Sequence, residues 1–185
     1  MRTKLFLLFF LGMFVFSSFD AKAVSFYLGT GLGDSKGRVE HLHLDDKHAF
    51  VFSIGSHFNI PLFPVRTEIE YFNAKMQKDE IGDAKLIGYS LNTYVNIPLL
   101  PILVPYVGIG LGTMKEKFNS GVLDFSRQSN WNFVPQYMVG IDLDLPTVPV
   151  AGSMEYRYIE RKFDFDVADL KSKYHIFMFK ARVKF

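Results

Sequence analysis

Residues 96–112 read NIPLLPILVPYVGIGLG, apolar almost throughout yet carrying three prolines and three glycines. The length suits a membrane-spanning helix, which needs about 20 apolar residues. The composition forbids one: each internal proline removes a backbone donor and clashes with the preceding turn. Beyond Pro105 the residues alternate instead, with Val107, Ile109 and Leu111 on one parity and Gly108, Gly110 and Gly112 on the other. Period two is the signature of a strand. The segment therefore reads as the end of one strand at Asn96 and Ile97, an apolar turn over 98–104, and a new strand starting at Pro105, where a missing N–H is tolerated.

The same alternation recurs along the chain. VRTEIEY places Val65, Thr67, Ile69 and Tyr71 against Arg66, Glu68 and Glu70. VAGSMEYRY separates Met154, Tyr156 and Tyr158 from Ser153, Glu155 and Arg157. Eight such runs are expected, at 24–33, 48–60, 65–76, 86–97, 105–116, 131–145, 150–162 and 173–185. Their connections alternate in character. Those at 34–47, 77–85, 117–130 and 163–172 are longer and charged, and are expected as loops. Those at 61–64, 98–104 and 146–149 are short, apolar and proline-marked. Asn59-Ile60-Pro61-Leu62 recurs as Asn96-Ile97-Pro98-Leu99, one hairpin later.

The N-terminus is set apart from this pattern. Arg2 and Lys4 precede an apolar block over 5–16, and Ala21-Lys22-Ala23 supplies small residues flanking one position. Charged start, short apolar block and A-x-A site define a secretory signal over 1–23, with the mature domain over 24–185. Removing three bases and one acid from 21 and 19 leaves a neutral mature chain, so no basic stripe points to nucleic acid. The chain has no cysteine, which excludes disulfides and a lipid-modified N-terminal cysteine.

Two all-β architectures fit the alternation. A soluble barrel or sandwich buries its apolar face and wets its polar one, whereas a membrane barrel does the reverse. Strand length favours the membrane: about 12 residues at about 3.3 Å each, tilted by about 40°, span about 30 Å. Glycine on the polar parity (Gly29, Gly31, Gly55, Gly88, Gly140 and the three above) suits a lumen just wide enough to be filled by side chains. Aromatics near run ends, including Tyr71, Tyr89, Trp131 and Tyr158, resemble interfacial girdles. The expected fold is an eight-stranded antiparallel up-and-down transmembrane β-barrel.

The chain ends KYHIFMFKARVKF, with Phe177, Phe179, Ala181, Val183 and Phe185 on one face and Lys180, Arg182 and Lys184 on the other. A last strand of this kind, closed by an aromatic residue, resembles the insertion signal of bacterial outer-membrane proteins. VPYVGIGLG is similar to the motif opening a central strand in the opacity-type family of small outer-membrane barrels, relatives of OmpA and OmpX. The resemblance implies a barrel with both termini in the periplasm, probed by the barrel-insertion machinery at its last strand, and surrounded by outer-membrane lipid and lipopolysaccharide. It implies no particular activity.

The inward parity carries Arg66, Glu68, Glu70, Asp142, Asp144, Glu155, Arg157, Lys180, Arg182 and Lys184, five acids and five bases. Carboxylates in a dry lumen must pair or neutralise, so an ion-paired plug is expected, with Glu155 facing Lys180 or Arg182. A monomeric, non-enzymatic envelope protein or surface adhesin working through its charged loops is the leading functional expectation. A narrow porin-like channel, an outer-membrane lipid hydrolase and a soluble periplasmic ligand-binding barrel are the alternatives. The hydrolase needs a nucleophile, a histidine and an acid that converge; His175 and Ser153 fall on opposite parities and His57 is inward, so none is assigned. His41 and His43 in HLHLDD have metal-ligand character but fall short of the three or four ligands a site needs. No metal or cofactor is expected.

Overall fold

The computed structural model describes residues 24–39, 42–60, 63–78, 82–120, 125–128, 131–145, 147–165 and 168–185. The leader read over 1–23 lies outside them, as does His41. The strands are β1 (Val24–Val39), β2 (Leu42–Phe58), β3 (Val65–Lys78), β4 (Gly82–Asn96), β5 (Leu103–Ser120), β6 (Phe125–Gln128), β7 (Asn132–Asp144), β8 (Val150–Phe165) and β9 (Ala168–Lys184). Each long strand pairs antiparallel with its sequence neighbours, and β1 pairs with β9 from Tyr27↔Lys184 to Val39↔Ser172, closing the ring. The short β6 only extends the outer end of β5, from Lys117↔Gln128 to Ser120↔Phe125. The result is a closed eight-stranded antiparallel barrel.

Strand ends differ from the sequence expectation. Much of 34–47, 77–85, 117–130 and 163–172 is not loop: β1 and β2 stay paired as far as Val39↔Leu42, and β8 and β9 as far as Phe165↔Ala168. A ladder satisfies backbone donors and acceptors whatever the side chains are. Beyond the outward apolar belt neither face is held to apolar side chains, so the ladder continues without apolar–polar alternation. A register shift between Ser35 and Gly37 marks a bulge in this region of β1. At the other end the turns are short. Leu103 and Val104, read as turn, belong to β5, where Val104 pairs with Asp142.

The two faces are inverted relative to a soluble protein. Phe179 is 66% exposed and Ile109 65%, whereas Arg157 and Glu70 are completely buried. Continuous outward apolar surface of this kind belongs to a protein in contact with lipid. It rules out the soluble ligand-binding barrel, whose apolar face would be inside. The inward glycines make room for inward side chains: a Cβ on Gly140 would sit 2.5 Å from the Tyr106 ring, and one on Gly108 2.5 Å from Tyr94.

The interior has two layers. Toward the long hairpins it is apolar, packed by Val51, Phe72, Leu86, Met114, Ile159 and Ile176 with their neighbours. Toward the short turns it is ionic. The expectation of a polar lumen therefore holds for one half only. These residues share the parity of the inward charges and glycines, and their apolar character runs against the polar-inside pattern.

Candidate functional site: the lumen

Alternation aims successive odd or even positions of each strand into the same narrow space. β3 delivers Arg66, Glu68 and Glu70, β7 Asp142 and Asp144, β8 Glu155 and Arg157, and β9 Lys180, Arg182 and Lys184. All ten sequence-selected charges point inward, and contacts form between strands far apart in sequence.

Arg157 is the hub. Its Nη2 donates to Glu70 Oε2 at 2.9 Å and to Glu155 Oε1 at 2.7 Å. Its Nη1 also meets Glu70 Oε1 and reaches Gln136 Oε1 at 3.1 Å, while Nε donates to Glu155 Oε1 at 3.1 Å. Lys180 Nζ donates to Glu68 at 2.9 Å, Glu70 at 3.2 Å and the Tyr94 hydroxyl at 3.5 Å, and lies 3.7 Å from Glu155. Below this cluster Asp142 Oδ2 bridges Arg66 Nη1 at 2.7 Å and Arg182 Nη2 at 2.8 Å. Arg66 also lies 3.3 Å from Glu68 and 4.4 Å above the Tyr94 ring. At the mouth Lys184 pairs with both oxygens of Asp144, each side chain about a quarter exposed.

Four buried bases (Arg66, Arg157, Lys180, Arg182) thus face four buried acids (Glu68, Glu70, Asp142, Glu155), none more than 3% exposed. Removing isolated ions from water is prohibitive, and only close, hydrogen-bonded pairing offsets it. Charge balance meets that requirement, and so does the hydrogen bonding of Arg157 and Lys180, whereas Arg66 Nη2, Arg182 Nη1, Glu68 Oε1 and Asp142 Oδ1 are buried without a hydrogen-bond partner. The open space at the mouth, bordered by His57, Asn96, Asp142 and Lys184, is about 10 Å³. That is at the lower limit for a single water.

The expected ion pair between Glu155 and Lys180 is present at 3.7 Å, but the hydrogen bonds of Glu155 go to Arg157 of its own strand and to Tyr106, and Arg182 goes to Asp142. Sequence reading missed Tyr94 and Tyr106, which share the inward parity. Tyr106 donates to Glu155 Oε2 at 3.0 Å, and the two rings meet edge-on at 5.4 Å. Their parity was visible, but an aromatic residue on the polar face was not read as part of the network.

The remaining candidates do not converge. His175 faces outward with Nδ1 2.6 Å from the Tyr156 hydroxyl, while Ser153 is buried inside. The side chain of His43 lies outside the described residues, and among those described no cluster of three potential metal ligands occurs. Phe177, Phe179, Val183 and Phe185 are exposed on the outer wall, and the Phe185 amide donates to the Phe26 carbonyl at 2.9 Å.

A closed antiparallel barrel, apolar outside and packed inside, defines the class of protein that crosses a membrane on strands. The family model described as the outer membrane protein beta-barrel domain matches residues 6–185, and the chain belongs to that family. Among solved structures, Neisserial surface protein A is similar over 88% of this chain and 99% of its own, at 18% identity and a TM-score of 0.67. Ail, the attachment invasion locus protein of Yersinia pestis, is similar over 87% and 98%, at 18% identity and a TM-score of 0.57. OprG of Pseudomonas aeruginosa is similar over 88% and 96%, at 13% identity and a TM-score of 0.53. No curated protein sequence matches the chain. These likenesses establish the fold, and with the family they place the chain in the outer membrane.

Proposed function

We propose that this outer-membrane barrel is a monomeric, non-enzymatic and non-conducting scaffold that presents its long hairpins at the cell surface, as an adhesin or surface antigen. The observation that carries the closed-lumen reading is the apolar layer above the ion pairs. Phe72, Leu86, Met114, Ile159 and Ile176 are at most 1% exposed, so a hydrated ion would have to shed its water against hydrocarbon. The buried charges below are engaged with one another rather than lining a free path.

Strand length supports the surface role. β2 has 17 residues and β5 has 18, whereas about 9–11 tilted residues cross a bilayer. The excess projects from the end opposite the proline-marked turns. In barrels of this type short turns are periplasmic and long connections extracellular, which supports periplasmic termini. The leader over 1–23 and insertion by way of Phe177, Phe179, Ala181, Val183 and Phe185 complete the proposal. Ail has been solved with the heparin analogue sucrose octasulfate, which makes an external anionic ligand a reasonable class to screen.

Reconstitution in planar bilayers tests the lumen: the wild-type barrel should give no steady conductance, and a stable single-channel step would overturn the closed reading in favour of a narrow channel. A protease site placed in the β5–β6 hairpin should be cleaved on intact cells. Protection there with cleavage after envelope rupture would reverse the orientation.

A further inference from the structure

On the outer wall Tyr71, Tyr89, Tyr137 and Tyr158 form two ring pairs, Tyr71 with Tyr89 at 5.4 Å and Tyr137 with Tyr158 at 6.4 Å. They stand about six to eight residues from the short-turn ends of their strands, at Val65, Asn96, Asp144 and Val150. At about 3.3 Å each along strands tilted by about 40°, that distance is about 15–20 Å. The row is therefore level on four strands. Lys75, Lys85 and Glu160 follow it on the long-hairpin side. Tyrosine and tryptophan anchor at the edges of the hydrocarbon, so the row marks the edge on that side.

The apolar band of such a barrel is about 25 Å tall. Measured from the tyrosines, the strands end about 5–10 Å too soon to fill it. No second row of tyrosine or tryptophan closes the band at the strand ends. Tyr27, Tyr94, Tyr106 and Tyr174 are buried inside, Tyr156 is one outward position below Tyr158, and Trp131 precedes β7 at the long-hairpin end.

The missing height coincides with the three proline-marked turns. Residues 61–64, 98–104 and 146–149 contain no charge, no glycine and no asparagine or aspartate, and Thr147 is their one polar side chain. Turns in water favour glycine, asparagine, aspartate and serine. Leu99 is 72% exposed, and Phe63, Leu100 and Val148 are exposed beside it. This surface is continuous with the lipid-facing wall through the exposed Leu103, Leu145 and Val150. The backbone suits an apolar medium, where polar groups must be satisfied internally. Six of the chain's eight prolines fall in these segments and bring no N–H. The Leu99 and Val148 amides donate within their turns, to the Ile97 carbonyl at 2.8 Å and the Leu145 carbonyl at 3.1 Å.

We infer that these turns are immersed in the phospholipid of the leaflet at their end of the barrel and complete the apolar belt that the strands leave short. Phospholipid covers Leu99, Leu100 and Val148, and the barrel has no water-facing collar there. On the orientation proposed above that leaflet is the periplasmic one.

The chain has no cysteine, so single cysteines can report depth. Leu100→Cys and Val148→Cys are compared with Val107→Cys on the belt and Lys117→Cys on the long hairpin. Each carries a bimane label on folded barrel in phosphatidylcholine nanodiscs, which leave both faces open to solvent. The heat-dependent shift in gel mobility reports that every variant is folded. Quenching by iodide at positions 100 and 148 should be about tenfold weaker than at 117, because an anion does not enter hydrocarbon. Quenching by phospholipid brominated on its acyl chains should match that at 107. Iodide quenching at 100 and 148 equal to that at 117 overturns the immersion and returns the turns to water. Protection that appears only in discs holding two barrels overturns it in favour of a second copy. Protection in native envelopes but not in the discs does so in favour of a periplasmic protein. Failure of the orientation alone is distinguishable: quenching in the discs would stand while the surface hairpin stayed protected on cells.

Discussion

Replacing Arg157 with methionine removes the base that ties β8 to β3 across the lumen while nearly preserving volume. Arg157 is fully buried and donates to Glu70, Glu155 and Gln136. Each carboxylate contact near 3 Å is worth about 5–6 kcal/mol at an effective dielectric of about 20, before desolvation is subtracted. In the variant Lys180 is the base left to both Glu70 and Glu155 while also bonded to Glu68, which keeps Arg66 at 3.3 Å, so a buried carboxylate is under-paired. The expected net loss is about 3–5 kcal/mol, the range for breaking a buried pair by removing one partner. Glu155→Ala should fall at the lower end or below it, because Arg157 keeps Glu70 and Gln136. Pairing Arg157→Met with Glu70→Gln should recover part of the loss, since the second change removes the stranded charge. Urea unfolding in phospholipid vesicles, followed by Trp131 emission and gel mobility, measures these variants beside the wild type and the Glu70→Gln single variant. An unchanged midpoint for Arg157→Met, or strict additivity in the double variant, would refute the coupled network.

The same wall and lumen lead to three further outcomes. Gly140→Ala should destabilise by about 1–3 kcal/mol through overpacking, because its Cβ would press on the Tyr106 ring 2.5 Å away; urea titration of the refolded variant reads this directly. Ile109→Arg puts a charge on the lipid face where Ile109 is 65% exposed, and should reduce stability by about 2–4 kcal/mol if the position lies near the bilayer midplane; the urea midpoint in vesicles checks it. Phe185→Ser should slow assembly with little effect on the finished barrel, because the side chain is 73% exposed while the backbone bond to Phe26 does not depend on it. Insertion rates into vesicles with and without assembly machinery, compared with urea midpoints, separate the two effects.

Alternation alone told which side chains share a face. Val107, Ile109 and Leu111 against Gly108, Gly110 and Gly112 is a strand wherever it stands, and the same parity put all ten charges inside. The proline-marked turns were legible for the same local reason: proline ends a ladder. Periodicity gave no warning of the extended hairpins, because a ladder wetted on both sides selects no pattern. It was equally silent on partners. Glu70 meets Arg157 across the lumen, and Asp142 gathers Arg66 and Arg182. Each of these juxtapositions is set by register and closure, which depend on every stave of the barrel at once. Face is a property of one strand and is written in its own residues. Partnership belongs to the closed ring, and only the tertiary structure decides it.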